Sequence, residues 1–142
     1  WHLFAFSCAD DPTASSSGIR KLCKFLAESS DSPIRKYTPK EAEIDSVIDV
    51  RAIFQQGHRE LDIESMHSLL IPQKGCYGLR DYEKIFCANL KSGNDVFEMR
   101  KINRKQGCMV VVRPDQYIAH VLPLDAYAEL GVFFDGFMIQ TV

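Results

Sequence analysis

Apolar and aromatic residues predominate in the first seven positions, Trp1–Ser7, and polar and turn-forming residues predominate in the next stretch, Cys8–Gly18. This change predicts a strand that runs into a strand-to-helix loop. Apolar residues then recur at helical spacing and give one stripe, formed by Ile19, Leu22, Cys23 and Leu26. We therefore expect a helix that takes its N-cap from Ser15–Ser17 and ends near Ser29–Pro33.

The next two segments differ sharply in character. Asp31–Pro39 is polar and contains two prolines, which predicts a connection without secondary structure. Ile44–Phe54 is rich in β-branched residues and alternates, which predicts a strand with one mainly apolar face and one partly wet face. The apolar face is made of Ile48, Val50, Ala52 and Phe54.

The pattern weakens between Gln55 and Gly107. Ile63–Leu70, stopped by Pro72, and Asp95–Lys101 are candidate short helices. Gly75 and Gly78 form a GxxG, which clamps a backbone in some RNA-binding domains but arises often by chance. We interpret it as an ordinary loop.

The last third gives the clearest pattern. Two apolar runs, Cys108–Val112 and Tyr117–Leu122, flank the turn sequence Arg113–Gln116, which predicts a buried hairpin. A final helix is expected after Pro123, with Asp125 as N-cap and Gly136 near its end. Its apolar stripe consists of Leu130, Phe133, Phe134 and Phe137.

The predicted order is a βαβ unit followed by a ββα unit. With right-handed crossovers it forms an α/β fold with a mixed central sheet and helices on both faces. This is the element order of a thioredoxin-like fold, and we expect one such domain over residues 1–142.

Composition and charge narrow the function classes. The 142 residues are 46% hydrophobic with a net charge of -2, so the basic excess that nucleic-acid binding needs is absent. No apolar run is long enough to cross a bilayer, and we expect a soluble protein with no membrane partner. Since the chain begins at Trp1 rather than Met, we expect it to be part of a longer polypeptide.

The cysteines suggest one redox hypothesis. Five cysteines without paired spacing favour reduced thiols and a cytoplasmic location. Cys8 follows the first strand, where a thioredoxin nucleophile would sit, but no second thiol lies two residues away. Cys23 is on the apolar stripe. We therefore favour an inert Cys8 and keep an independent thiol redox protein acting through Cys8 as the alternative.

Other candidate groups have plainer interpretations. His120 shares a strand with Ile118 and Leu122 and is expected to be a hydrogen-bonded core residue, while His2, His58 and His67 lack the spacing of metal ligands. Ion pairing is expected for the charged set on the second strand. That set comprises Asp45, Asp49 and Arg51.

Aromatic residues crowd the last helix, and motifs for nucleotide cofactors are missing. Tyr127 joins Phe133, Phe134 and Phe137, so the stripe is wide enough to meet a second subunit as well as the sheet, although ordinary core packing is favoured. No GxSxG, phosphate-binding glycine loop or dinucleotide fingerprint occurs. We expect no catalytic, cofactor-binding or metal-binding residue in this chain.

Three segments carry a family resemblance. The stretch Val110–Val121 with its Arg113-Pro114-Asp115 turn, together with Asp45–Arg51 and Asp81–Lys84, resembles the C-terminal domain of FAD-dependent phenol 2-monooxygenases, or phenol hydroxylases. These enzymes occur in fungi and bacteria, and we expect a fungal source. The resemblance covers roughly Ile19 to Met138.

The resemblance implies a thioredoxin-like domain without the redox cysteine pair, associated with dimerisation. It implies partners in the same parent chain, an FAD domain and a substrate domain, where NADPH and O₂ serve ring hydroxylation of phenols. FAD and NADPH would therefore be cofactors of the parent enzyme and not of this chain. The remaining alternative is a stand-alone module whose aromatic helix binds a different protein.

Overall fold

A computed structural model describes residues 1–93 and 95–140. A five-stranded mixed sheet organises these residues, in the order β5-β2-β1-β6-β7. Its strands are β1 (His2–Phe6), β2 (Asp49–Phe54), β5 (Ile85–Cys87), β6 (Cys108–Val112) and β7 (Ile118–Leu122). β1, β2 and β5 run parallel, while β6 is antiparallel to β1 and β7. The arrangement confirms the predicted α/β fold with a thioredoxin-like order.

Three helices cover one face of the sheet. They are α1 (Gly18–Glu28), α2 (Pro33–Tyr37) and α4 (Tyr127–Asp135). The core between them and the sheet contains the complete predicted stripe of α1 and the complete predicted apolar face of β2, all at most 3% exposed. The periodicity of these two elements therefore predicted the main core correctly, because each buries one continuous face.

A smaller cluster of apolar residues covers part of the other face of the sheet. The short helix α3 (Val96–Met99) packs Phe97 against Phe6 of β1 and Ile53 of β2. Asp95 accepts a hydrogen bond from the Phe97 N–H at 3.0 Å and caps α3. Toward β6 and β7 the strand residues of this face are only half-buried or exposed.

Two features of the first half differ from the prediction. Asp31–Pro39 contains α2 rather than a plain connection, because Pro33 occupies the first helical turn, where its fixed φ suits a helix and no N–H is needed. Ser17 occupies the N-cap position of α1 but its side chain makes no cap bond. The Asp10 carboxylate accepts the Gly18 N–H instead, at 2.6 Å.

The weakly patterned middle contains several short elements. The predicted helix Ile63–Leu70 consists of two 3₁₀ turns, Ile63–Ser65 and Ser68–Leu70. The GxxG forms the turn between β3 (Gln73–Lys74) and β4 (Leu79–Arg80), and both glycines have positive φ. The strand β5 had no counterpart in the prediction, since three residues are too few to show a period.

The hairpin and the last helix are placed correctly but differ in detail. β7 is an edge strand in which Ile118 and Val121 are more than half exposed, as is Tyr117 just before it, so the prediction of a buried hairpin was wrong for the second strand. α4 is capped at Ala126 and not by the Asp125 side chain, because the chain turns tightly there and the Asp125 carbonyl accepts the Tyr127 N–H.

Within residues 1–93 and 95–140, no helix has the length and apolar character needed to cross a membrane.

Candidate functional site

The corner at the start of α1 is where a thioredoxin-type thiol would react. The Cys8 thiol donates a hydrogen bond to Asp10 Oδ2 at 3.0 Å, and the same oxygen caps Gly18. Burial, followed by the Asp10 hydrogen bond and charge, raises the pKa of Cys8. The Gly18 N–H at the helix N-terminus binds the carboxylate, and its smaller effect in favour of the thiolate is outweighed, so the thiol form of Cys8 is favoured.

The second cysteine of this region cannot assist Cys8. Cys23 is buried in the main core, and burial raises the pKa of its thiol to about 12. All five cysteines are free thiols. The start of α1 therefore has the position of a thioredoxin redox site but lacks a reactive pair of thiols.

The four histidines have different surroundings, and His120 differs most from its prediction. His120 is half-buried and its ring packs on Phe133, with a centroid distance of 5.2 Å. Its ring makes no hydrogen bond among the residues the structure describes, so the expected hydrogen-bonded core histidine was wrong. His120 and Ile118 also do not share a strand face, contrary to the prediction. A β-bulge in β7 places Ile118 opposite Val112 while His120 lies opposite Val111, so the two side chains are on opposite faces of the sheet.

The other histidines have local partners or none. His67 Nδ1 accepts the Leu69 N–H at 3.1 Å, and burial lowers the pKa of His67. His2 Nδ1 lies 3.3 Å from Asp49 Oδ2, and His58 is exposed. No group of three or more His, Cys, Asp or Glu residues in the described parts of the chain has metal-site geometry.

A lysine buried under the start of β2 organises the charged residues. The Lys84 side chain is 3% exposed, and its Nζ lies 2.6 Å from Asp45 Oδ2 and forms a second ion pair with Asp49. Asp81 Oδ2 is 3.7 Å from the same Nζ. The predicted ion pairing of Arg51 is confirmed for Asp49, whereas Asp45 pairs with Lys84 and Lys74 instead.

Two further cations complete this ionic cluster. Lys74 Nζ bridges Asp45 at 2.5 Å and Asp81 at 3.0 Å, and Arg51 Nε contacts Asp49 Oδ2 at 2.9 Å. Burial alone would raise the pKa of Asp45, but hydrogen bonds from Lys74 and Lys84 outweigh burial and lower that pKa. The same balance, with Lys84 and Arg51, lowers the pKa of Asp49.

The ionic cluster is a structural joint. It ties the segment before β2 and β2 itself to the hairpin β3–β4 and to the start of β5, and its charges satisfy one another. It also brings together Asp45–Arg51 and Asp81–Lys84, two of the three segments that carry the family resemblance. Sequence analysis missed Lys84 because nothing local shows that an isolated lysine before a short strand is buried, and it missed Lys74 because its carboxylate partner Asp45 is distant in sequence.

Aromatic side chains form a second cluster beside α4. Trp1 contacts three phenylalanines, with ring centroids 6.1 Å from Phe133, 5.6 Å from Phe134 and 4.9 Å from Phe137. Phe134 is fully buried, Phe133 is half-buried and Phe137 is 46% exposed. Tyr127 stacks on Phe25 at 4.9 Å. Most of the predicted stripe therefore packs internally, and only its outer margin is free.

Exposed apolar residues surround β7 on both sides of the sheet. Tyr117, Ile118 and Val121 belong to the hairpin, and Val132 on α4 is 71% exposed. Val132 lines a shallow groove between β7 and α4 together with His120 and Phe133. We call Tyr117, Ile118, Val121 and Val132 the β7 surface.

The turn at one end of the β7 surface has a defined geometry. Arg113 Nη2 lies 2.7 Å from Asp115 Oδ2, and the Arg113 N–H donates to the Tyr117 carbonyl at 2.9 Å. Asp115 reaches the backbone N–H of Tyr117 only at 3.5 Å. Its main partner is thus the Arg113 side chain rather than the backbone.

Comparison with known proteins gives two consistent findings. The sequence matches the family described as "Phenol hydroxylase, C-terminal dimerisation domain" over residues 1–142. It is 48% identical over 139 residues to a 3-hydroxybenzoate 4-monooxygenase of Comamonas testosteroni and 30% identical over 141 residues to the FAD-dependent monooxygenase terD of Aspergillus terreus. Each match covers 97% of this chain but only 22% and 23% of the respective relative.

Proposed function

This chain belongs to the family of phenol hydroxylase C-terminal dimerisation domains, and on that premise we propose that it joins two copies of an FAD-dependent aromatic hydroxylase. The carrying observation is the family match over the whole chain. The chain spans less than a quarter of the length of its relatives, which supports a role as one part of a larger flavoenzyme.

The proposal assigns the chemistry to the rest of the parent protein. Ring hydroxylation with NADPH and O₂ would take place in an FAD domain and a substrate domain, and this chain would supply no catalytic or cofactor-binding residue. Two observations support that division. Burial and Asp10 keep Cys8 in its thiol form, and the buried charges of the ionic cluster are paired with one another. Neither arrangement leaves a reactive group free.

The proposed substrate class is a phenolic ring. The family description names phenol hydroxylase, and the 48% identical relative is named for 3-hydroxybenzoate. We favour hydroxylation beside an existing phenolic hydroxyl, as in a phenol 2-monooxygenase, within the breakdown of aromatic compounds. A fungal source stays part of the proposal, and the five free thiols support a reducing, cytoplasmic location.

Flavin binding and turnover assays test whether this chain by itself binds FAD or catalyses hydroxylation. The purified chain is mixed with FAD, NADPH and phenol or 3-hydroxybenzoate, and flavin fluorescence and NADPH absorbance are followed. We expect no change in flavin fluorescence and no NADPH oxidation above the enzyme-free rate. Saturable flavin binding or product formation by the chain would overturn the proposal.

A further inference from the structure

We propose that the chain pairs with a second copy through the free edge of β7, in a two-fold arrangement that places the two β7 strands antiparallel. The proposal rests on the proposed function, because it names the surface through which the dimerisation domain acts. It commits to one occupant, a second copy of this chain.

The outer face of the sheet supplies one half of the contact. Val121 lies opposite Val110, which in turn lies opposite Phe4, so these three side chains form one apolar row across β7, β6 and β1. Ile118 lies opposite Val112 in a second row. Ile118 is 65% exposed and Val121 is 56% exposed, since the cluster around Phe97 of α3 extends to β6 but includes no residue of β7.

The helical side supplies the other half. The groove between β7 and α4 is lined by His120, Ala128, Glu129, Val132 and Phe133, so one carboxylate accompanies its apolar side chains. Because β7 is the outermost strand, the groove and the two outer rows lie on opposite sides of one edge. A partner strand at that edge would cover both apolar surfaces at once.

The edge strand lacks the charged and proline residues that commonly prevent pairing, although the β-bulge at Ala119 interrupts its register with β6 near one end. β7 contains no Lys, Arg, Asp, Glu or Pro, although natural edge strands are commonly guarded by such residues. The opposite edge strand, β5, has only three residues and directly follows the buried Lys84. Of the two edges of this sheet, β7 therefore offers the longer and more apolar strand.

Symmetry favours a second copy at this edge. A two-fold axis lets the same strand serve as donor and acceptor in both subunits, so an antiparallel β7 pair needs no second binding surface. The choice of a second copy as the partner follows from the proposed function, because the matched family is described as a dimerisation domain. The aromatic margin at Phe137 is continuous with the groove through Phe133, with ring centroids 5.3 Å apart.

Sedimentation of surface variants tests the proposal. Val121→Lys and Ile118→Lys place a charge on the β7 surface, and Met99→Lys and Leu90→Lys change residues of similar exposure, 64% and 58%, in α3 and the loop before it. We expect each β7 variant to raise the dimer dissociation constant roughly 30-fold or more, as for a central interface residue, and the control variants to leave it within about threefold. Urea unfolding of each variant checks that the monomer fold is intact.

Photo-crosslinking identifies the occupant. Benzoylphenylalanine at position 121 is introduced into a 1:1 mixture of ¹⁴N- and ¹⁵N-labelled chains, and we expect mixed-label adducts with peptides from the β6–β7 hairpin. A wild-type dimer that the β7 variants do not weaken would overturn this proposal while leaving the proposed function standing, whatever the control variants do. A wild-type chain that stays monomeric overturns the proposed function. Adducts only within one chain, or only with another protein, overturn the β7 pairing.

Discussion

The Lys84 ammonium lies 2.6 Å from Asp45 Oδ2, and both side chains are less than a tenth exposed. This contact joins the segment before β2 to the start of β5. Asp49 and Asp81 lie beside the same ammonium. A buried cation with several carboxylate partners is stabilising only while the set is complete, because each charge left alone has lost its hydration.

Removing the lysine should therefore cost more than a surface ion pair would. We expect Lys84→Met to lower the free energy of unfolding at pH 7 by about 3 kcal/mol, since its carboxylate partners remain without their central cation. Urea unfolding followed by circular dichroism measures the change. Lys105→Met, at an exposed lysine, is the matched control and should change stability by less than about 0.5 kcal/mol. Equal stability of the two variants would contradict a structural role for the ionic cluster.

The same cluster sets the response to acid. The pKa values of Asp45 and Asp49 lie below the ordinary value of 3.8, because their cation partners outweigh burial. A lowered folded-state pKa contributes stability that is present above the unfolded pKa and lost as the pH falls through the folded pKa. Without Lys84, Asp45 keeps only Lys74 and Asp49 keeps only Arg51 among these cations, so less opposes the burial that favours the protonated carboxyl.

We therefore expect the stability difference between the wild type and Lys84→Met to be constant from pH 6 to pH 8 and to narrow below about pH 4. Denaturant unfolding at a series of pH values measures it. A difference that stays the same down to pH 3 would show that the carboxylates do not depend on Lys84.

The ionic cluster separates features that could be predicted from the sequence from features that could not. Periodicity located β2, α1 and α4, because each has a face that repeats along the chain, while apolar stretches bounded by turn residues located β1 and the β6–β7 hairpin. It gave no sign of Lys84 or β5, since a three-residue strand has no period and the burial of one lysine depends on residues distant in sequence. The His120 and Ile118 faces were misjudged because a bulge shifts the strand by one residue.

The Cys8 thiol should react slowly. Burial and Asp10 raise its pKa, so the thiolate fraction at neutral pH is small. We expect iodoacetamide to label the exposed Cys76 at least about tenfold faster than Cys8, and Asp10→Asn to speed up labelling of Cys8. Peptide mass spectrometry over time gives both rates.

Peroxide consumption separates this account from an independent thiol redox protein. The wild type and Cys8→Ser should consume hydrogen peroxide at the same low rate. Loss of a measurable peroxidase rate in Cys8→Ser would establish the thiol chemistry that the Asp10 contact argues against.

Gly107 marks a tight backbone contact just before β6. Its φ is +64°, and a Cβ at this position would lie 2.3 Å from the Phe6 carbonyl oxygen. We expect Gly107→Ala to lower the free energy of unfolding by about 3 kcal/mol, because the clash is with backbone and adds to the cost of positive φ. Gly93→Ala is the control: φ is +72° but nothing lies within 4 Å of the added Cβ, so about 1 kcal/mol is expected. Thermal or urea unfolding compares the two, and equal losses would mean that the close approach to Phe6 is not rigid.

The central claim is that this chain is a self-associating part of a larger flavoenzyme, and sedimentation equilibrium of the purified chain tests it most directly. Across a concentration series in reducing buffer, the account predicts a reversible shift from one chain of 16.1 kDa to a species of twice that mass, with no larger assembly. A mass of 16.1 kDa at every concentration would contradict it.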